Sequence, residues 1–212
     1  SGLVGLVASR LAEQNYRPAI NIEKGPEVSR GSCRSIPEFH ITAALDEIAD
    51  LLVRHGGHAQ AAGFTVRNEN LEIFASSMRE LAVQALSDKE LVSTIEIDAE
   101  IDVNDVDWAL YETLVMLEPT GQGNPAPIFV SRNVEVTYQR AVGKGGSHLQ
   151  LSLVDANGGF KERPIPAIAF RQGAWADSLP KFIDVVYTVN LNEWNGQRNL
   201  QLIVKDMQQA SS

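Results

Sequence analysis

The chain reads as an α/β (or α+β) domain followed by a mainly β barrel, and three observations carry that reading. The first 90 or so residues alternate helical and strand patterns. After residue 91 short period-2 segments dominate. An eight-residue Gly- and Pro-rich loop, Thr120 to Pro127, lies between a short helix pattern and a run of strands. The boundaries drawn from this change of character are 1–90 and 91–212.

In the first part, Leu3, Leu6, Val7 and Leu11 recur at helical spacing, with Arg10 at the edge of the stripe. Pro18 ends that helix, and Ala19 to Ile22 read as a short strand. The Gly25-Pro26 turn leads to a second strand, Val28 to Ser35. Ile41, Leu45, Ile48, Leu51 and Leu52 predict a second helix that runs to Gly56. Gly63 to Val66 read as a strand, and Asn68 as the cap of a third helix carrying Leu71, Phe74, Met78, Leu81 and Leu86.

In the second part, Ile95, Ile97, Ala99 and Ile101 alternate with polar residues, as in a half-buried strand. Val106 to Leu117 form a short helix pattern closed by Pro119. Strand signals then recur at 128–130, 134–142, 149–154, 165–170, 185–192 and 200–204, and Asn195-Gly196 marks a tight hairpin. Many strands joined by short turns point to a small barrel of the oligonucleotide-binding kind.

Composition narrows the function. Hydrophobic residues make up 44% and charged residues 21%, as in a soluble globular protein. No apolar run is long enough to span a bilayer, and Ser1 onward lacks the basic region and cleavage site of a signal peptide. A start at Ser rather than Met points to a portion of a longer chain. Cys33 is the single cysteine, which fits a reducing, cytoplasmic setting without disulfides. The net charge of −9 argues against nucleic acid until its distribution is seen. Between Asp88 and Asp107 stand eight acids and one base, leaving about −2 for the rest of the chain. The first 40 residues hold five bases and four acids, so a local basic site is allowed.

Three polar clusters of the first part are candidates for such a site. Arg10 follows Ser9 on the first helix. Ser32 and Arg34 lie two apart on an extended segment and so share a face, where a hydroxyl and a guanidinium suit a phosphate oxyanion. Gly56-Gly57-His58 combines unhindered backbone with an imidazole. From the residues alone this last cluster is either a helix C-cap with a solvated histidine or an anion contact.

Taken in order, Val7 to Leu11, Arg17 to Ile20, Gly31 to Ser35 and Gly56 to Gly63 resemble the DHH-associated domain of the DHH phosphoesterase superfamily. Leu117-Glu118-Pro119-Thr120-Gly121-Gln122-Gly123-Asn124-Pro125 and Leu191-Asn192-Glu193-Trp194-Asn195-Gly196 resemble the start and the last hairpin of the oligonucleotide-binding domain of RecJ-like single-strand-specific exonucleases. The resemblance implies removal of nucleotides from the 5′ end of single-stranded DNA by Mn²⁺ or Mg²⁺ held in an upstream DHH domain. It implies that Arg10, Ser32 and Arg34 hold DNA phosphates, that His58 with Gly56 and Gly57 contacts the phosphate being cleaved, and that Cys33 packs. In the barrel it implies basic and aromatic contacts. Lys144 and Trp194 are the leading candidates, followed by Tyr138, Phe160, Arg132, Arg140, Lys161 and Arg198.

The sequence has no Asp-His-His motif, so the chain alone is expected to hold no metal and to lack nuclease activity. Expected partners are single-stranded DNA, the upstream domain and a single-strand-binding protein or helicase, with no membrane. The alternatives are a non-catalytic single-strand-binding or scaffold relative, or a DHH phosphodiesterase acting on short oligonucleotides.

Overall fold

A computed structural model describes residues 2–121, 123–156 and 163–210 and resolves two compact units, residues 1–94 and 95–212. In the first unit, α1 (Gly2–Asn15) ends where Tyr16 takes a positive φ of 45°, and β1 (Ala19–Glu23) follows. Then come β2 (Val28–Arg34), α2 (Ile41–Glu47), β3 (Leu52–His58), β4 (Ala61–Arg67) and α3 (Leu71–Leu86). The four strands make one antiparallel sheet in the order β1-β2-β4-β3, with β3 at an edge.

Strand alternation divides the sheet into two faces. Cys33, Ala62, Phe64 and Val66 point to one side and pack with Ile41, Leu45, Phe74 and Met78. Phe64 and Phe74 meet there at 4.4 Å between ring centroids. Gly31 is what admits Phe64, since a Cβ on it would lie 2.1 Å from Phe64 Cε1. Across the sheet, α1 lies over β1 and β2 and buries Ala8 and Ala12. Gly5 also lies on this side, where a Cβ would make ordinary contact with Ser32 Oγ at 3.4 Å. The stripe of Leu3, Leu6, Val7 and Leu11 is left exposed.

Three expectations for this unit need correction. The helix predicted from Ile41 to Gly56 stops at Glu47, and Leu52–His58 is strand. Helical spacing in the apolar residues runs on into a segment whose backbone is claimed by pairing with β4, and two glycines there give a helix little support. Gly56-Gly57-His58 is thus not a helix cap. Asn68 does not cap α3. Its Nδ2 donates to the carbonyls of Gly25 and Pro26, and its Oδ1 accepts from Ser29 Oγ at 2.6 Å, tying down the β1–β2 loop.

The second unit opens with β5 (Ala99–Glu100), α4 (Trp108–Val115, capped by the Asp107 carboxylate on Leu110 N–H), β6 (Phe129–Val142) and β7 (His148–Asp155). It continues with β8 (Ile165–Ala169), β9 (Phe182–Trp194) and β10 (Gln197–Gln209). The predicted strand from Ile95 to Ile101 shrinks to the two residues of β5, with Ile95 and Ile97 exposed. The helix expected over Val106 to Leu117 is the shorter α4. The two segments 128–130 and 134–142 are one strand, bent where Asn133 adopts a φ of 48°.

Strand order β6-β7-β8-β10-β9, closed by β9 pairing with β6 and with β8 parallel to β10, is the five-stranded barrel of the oligonucleotide-binding fold. Asn195 and Gly196, with φ of 50° and 76°, make the predicted β9–β10 hairpin turn. Leu149, Leu151, Leu153, Ile183, Val185, Tyr187 and Leu202 fill its interior completely shielded from solvent.

Two polar devices seal this barrel. Ser131 Oγ donates to the Ile101 carbonyl at 2.8 Å, so the Tyr187 hydroxyl donates to Ser131 at 2.8 Å. Burial pushes the Tyr187 phenol up to about 12, helped by the charges of Asp102 and Asp105. At the β6 bend the buried Asp184 carboxylate accepts from Asn133 N–H and Arg132 Nη1, both at 3.0 Å, and from Gln208. Burial works against the charged form, but these three donors together outweigh it and hold the carboxyl below its usual value.

Asp184 should therefore support the fold above its unfolded pKa near 4, and lose that role as pH falls through its lower folded value. We expect Asp184→Asn to cost about 1–2 kcal/mol at pH 7, the half-exposed Arg132 keeping the loss modest. Urea unfolding at pH 7 and pH 3 checks this, and the gap between wild type and variant should narrow at the lower pH.

Candidate nucleic-acid interface

On the first unit's outward face, pairing register sets side chains from β2, β4 and β3 into three rows. Arg30, Thr65 and Arg54 form the first, Ser32, Gly63 and Gly56 the second, and Arg34, Ala61 and His58 the third. The middle row has one hydroxyl and two glycines, so it is a low floor between two rows that carry cations. Arg34 Nη1 donates to Ser32 Oγ at 3.3 Å and to the Cys33 carbonyl at 2.8 Å, which places Ser32 and Arg34 on one face as their spacing predicts. Both are half-buried beside α1.

His58 stands exposed at the end of β3, and its imidazole makes no hydrogen bond among the described residues. Its main chain is well fixed. The His58 carbonyl accepts from Thr42 Oγ1 at 2.6 Å, and the Ala59 and Gln60 carbonyls of the following turn accept from the N–H groups of Ile41 and Ser35 at 2.9 Å. The two glycines before it differ in kind. Gly57 has a φ of 158°, and a Cβ there would lie 2.3 Å from the Ala61 carbonyl oxygen. A Cβ on Gly56 would meet nothing within 4 Å. Gly57 serves the backbone, whereas Gly56 keeps the floor open. Because β3 is an edge strand, alternate peptide N–H groups of this segment point away from β4.

Arg10 is not brought into this group. It lies on α1 two residues from Ala8 and two from Ala12, the pair that faces the sheet, so at about 100° per residue it projects from the opposite side. Cys33 faces the core, completely buried. Burial pushes its thiol up to about 12 in spite of the Arg34 charge and leaves it no access to a substrate.

Arg30 and Arg54 escaped the sequence reading. The same two-residue alternation that joins Ser32 to Arg34 also includes Arg30. Arg54 was hidden by the mistaken helix. Together with Val4, Glu23, Ser32 and Thr65 they line a cavity of about 340 Å³ over Gly31 and Gly63.

In the barrel, Tyr138 and Arg140 of β6 lie opposite Ser152 and Gln150, and the intervening Gln139 lies opposite the buried Leu151, so both are on the outer surface. Lys144 is exposed in the β6–β7 loop, whose Gly143, Gly145 and Gly146 all have positive φ. That loop is pinned: Gly173 N–H donates to the Ser147 carbonyl, and a Cβ on Gly173 would collide with the Gly146 oxygen. Nearby, the exposed Phe170 meets the His148 ring edge-on at 5.3 Å, and His148 Nδ1 accepts from Arg171 N–H. Phe170 was read only as a strand end, yet among the described residues it is one of the most exposed aromatics of the barrel. Arg132 is committed to Asp184 and Glu100, and Arg198 to Glu193. The Trp194 side chain and residues Phe160 and Lys161 lie outside the described residues.

Among the described residues no three His, Cys, Asp or Glu side chains are grouped to hold a metal ion. The described residues do not make a metal centre. No described helix is long and apolar enough to cross a membrane.

Comparison with known proteins agrees with both halves of the architecture. The family described as the DHHA1 domain matches residues 1–84, and the RecJ OB domain matches residues 97–206. The chain belongs to the RecJ family, carrying a DHHA1 domain followed by a RecJ OB domain. It is 30% identical to the single-stranded-DNA-specific exonuclease RecJ of Bacillus subtilis, over 97% of this chain and 26% of that protein. It is 31% identical to the Haemophilus influenzae RecJ, over 96% of this chain and 36% of that protein. The crystal structure of RecJ in complex with Mg²⁺ from Thermus thermophilus superposes with a TM-score of 0.72 at 26% identity, over the whole of this chain and 31% of that one. The chain thus spans roughly a quarter to a third of the length of these relatives.

The unequal roles of the adjacent glycines can be checked by urea unfolding. Gly57→Ala should cost about 2–3 kcal/mol, because a strained φ and a clash with β4 backbone coincide. Gly56→Ala should change stability by less than about 0.5 kcal/mol.

Proposed function

We propose that this chain is the DNA-gripping C-terminal portion of a RecJ-like 5′-to-3′ single-stranded-DNA exonuclease, and that phosphodiester hydrolysis takes place at metal ions held by an upstream DHH domain. The observation that carries the proposal is the outward face of the DHHA1 sheet. A glycine floor flanked by Ser32 with Arg34 on one side and His58 on the other offers several donors to an extended, negatively charged chain. Membership of the RecJ family supplies the substrate class.

In this account Ser32 and Arg34 hold a phosphate at the 5′ end, the Arg34 guanidinium supplying charge and the Ser32 hydroxyl orienting it. His58 contacts the phosphate to be cleaved, donating to a non-bridging oxygen. Gly56 and Gly57 let the strand approach the sheet closely. Arg10 is assigned to DNA by the resemblance alone, since α1 turns it away from the other groups. On the barrel, Tyr138 and Phe170 offer stacking surfaces and Arg140 and Lys144 offer phosphate contacts. Trp194 belongs to the same set by its place at the β9–β10 hairpin. A single-strand-binding protein or a helicase is the partner class such an enzyme works beside.

Since the described residues group no metal ligands, the chain alone should bind single strands without cutting them. Fluorescence anisotropy on a 5′-phosphorylated oligothymidylate should show salt-sensitive binding that weakens about tenfold in Arg34→Ala, the loss of one charge-assisted contact. Equal affinities would remove Arg34 from the interface. In the complete enzyme, His58→Ala should lower turnover about 100-fold or more while DNA affinity changes little, as expected for a contact made mainly in the transition state. Unchanged turnover at saturating DNA would return His58 to a structural role.

A further inference from the structure

The row formed by Arg30, Thr65 and Arg54 takes no part in the function proposed so far, yet it lines the 340 Å³ cavity beside that site. Arg54 Nε is held by Thr65 Oγ1 at 3.3 Å, and this is the only hydrogen bond of its guanidinium among the described residues. Its two terminal nitrogens therefore remain available. Arg30, exposed on β2, has no ion-pair partner among the described residues. Thr65 is more than nine-tenths buried, and its hydroxyl proton has no acceptor among the described residues although its oxygen accepts from Arg54. Two unpaired arginines and an unspent buried hydroxyl around one cavity call for an anion.

We propose that Arg30, Arg54 and Thr65 form a second anion subsite, which takes the second phosphodiester of the bound oligonucleotide, two steps from the phosphate at Ser32 and Arg34 and one beyond the phosphate at His58. The inference rests on the DNA-binding role of Ser32 and Arg34 proposed above. Arg30 and Arg34 are four residues apart on β2, so their rows are separated by about 13 Å, comparable with two nucleotides of an extended single strand. Gly63 and Gly56 lie between the two positions and leave space for the strand to pass.

Charge selects the kind of phosphate. Glu23 stands opposite Arg30 and also lines the cavity, so the two arginines leave it a net +1. That matches a singly charged diester better than a doubly charged terminal monoester. The terminal group is left to Arg34, which has no carboxylate opposite it: its register partners are Ala19 and Ala61. The subsite thus makes the sheet distinguish a chain of nucleotides from a mononucleotide, retaining the polymer while the released product lacks the second contact.

The test is an NMR titration of the 212-residue chain with 5′-phosphothymidine and with the 5′-phosphorylated dinucleotide and trinucleotide of thymidine. In the wild type, adding the second diester should tighten binding about tenfold and shift the Gly63 and Thr65 amides. In Arg30→Ala/Arg54→Ala the mononucleotide and dinucleotide affinities should stay within twofold while the gain from the second diester disappears. The salt slope for a longer strand should fall by about 0.7, one phosphate contact. Glu23→Gln should tighten the trinucleotide a few-fold. Both arginines are exposed, so unchanged thermal melts will certify the fold.

The subsite is overturned if the double variant keeps the gain from the second diester, or if it weakens the dinucleotide and trinucleotide alike. Those results leave the Ser32 and Arg34 assignment standing. If instead wild-type amides from 32 to 34 do not respond to any of the ligands, the DNA-binding assignment fails and the subsite falls with it.

Discussion

The antiparallel register of β2, β4 and β3 is the constraint on which the rest of the account depends. Pairing Ser32 with Gly63 and Gly63 with Gly56 puts a hydroxyl and two bare backbone positions in one line, and fixes Arg30, Arg54, Arg34 and His58 around it. A slip of one residue would exchange the two faces, exposing Cys33 and Phe64 and burying the arginines. The core prevents that slip. Phe64 enters the space left by Gly31, Val66 and Ala62 pack beside it, and Gly57 accepts a conformation closed to other residues. Packing on one side of the sheet thereby determines the chemistry on the other.

The barrel achieves the same separation differently. Its interior is apolar and completely buried, and its polar exceptions, Tyr187 with Ser131 and Asp184 with Asn133 and Arg132, tie the bent strand β6 to β9. Arg132 shows why counting cations in a sequence overstates a binding surface. It is engaged by two carboxylates, while Arg140 and Lys144 have no ion-pair partner among the described residues. The long acidic segment before α4 is largely exposed, but two of its members are spent locally: Asp102 and Asp107 cap the turns that follow them.

Much of this was legible in the sequence where local rules and tertiary structure agree. Alternation placed Ser32 and Arg34 on one face, and Asn195-Gly196 gave the last hairpin. The ordered motifs led to the family. Where the two disagree, the sequence misled in identifiable ways. Ile41 to Leu52 keep helical spacing across a helix, a turn and the start of a strand, because the same apolar residues serve one core from three kinds of backbone. That hid β3, and with it Arg54 and the true setting of His58. On α1 the leucine stripe is exposed while Ala8 and Ala12 face the sheet, and Arg10 points the other way. Asn68 looked like a cap because a side-chain amide serves a helix end or a loop equally well.

The central claim is that the 5′ end of a single strand lies on the outward face of the DHHA1 sheet. Photo-crosslinking from a 5′-phosphorylated oligothymidylate carrying 4-thiothymidine at its first position, followed by peptide mass spectrometry, tests it most directly. The account predicts crosslinks within residues 30–34, 54–58 and 61–65. A first-position thio-base that labels the barrel alone would contradict it.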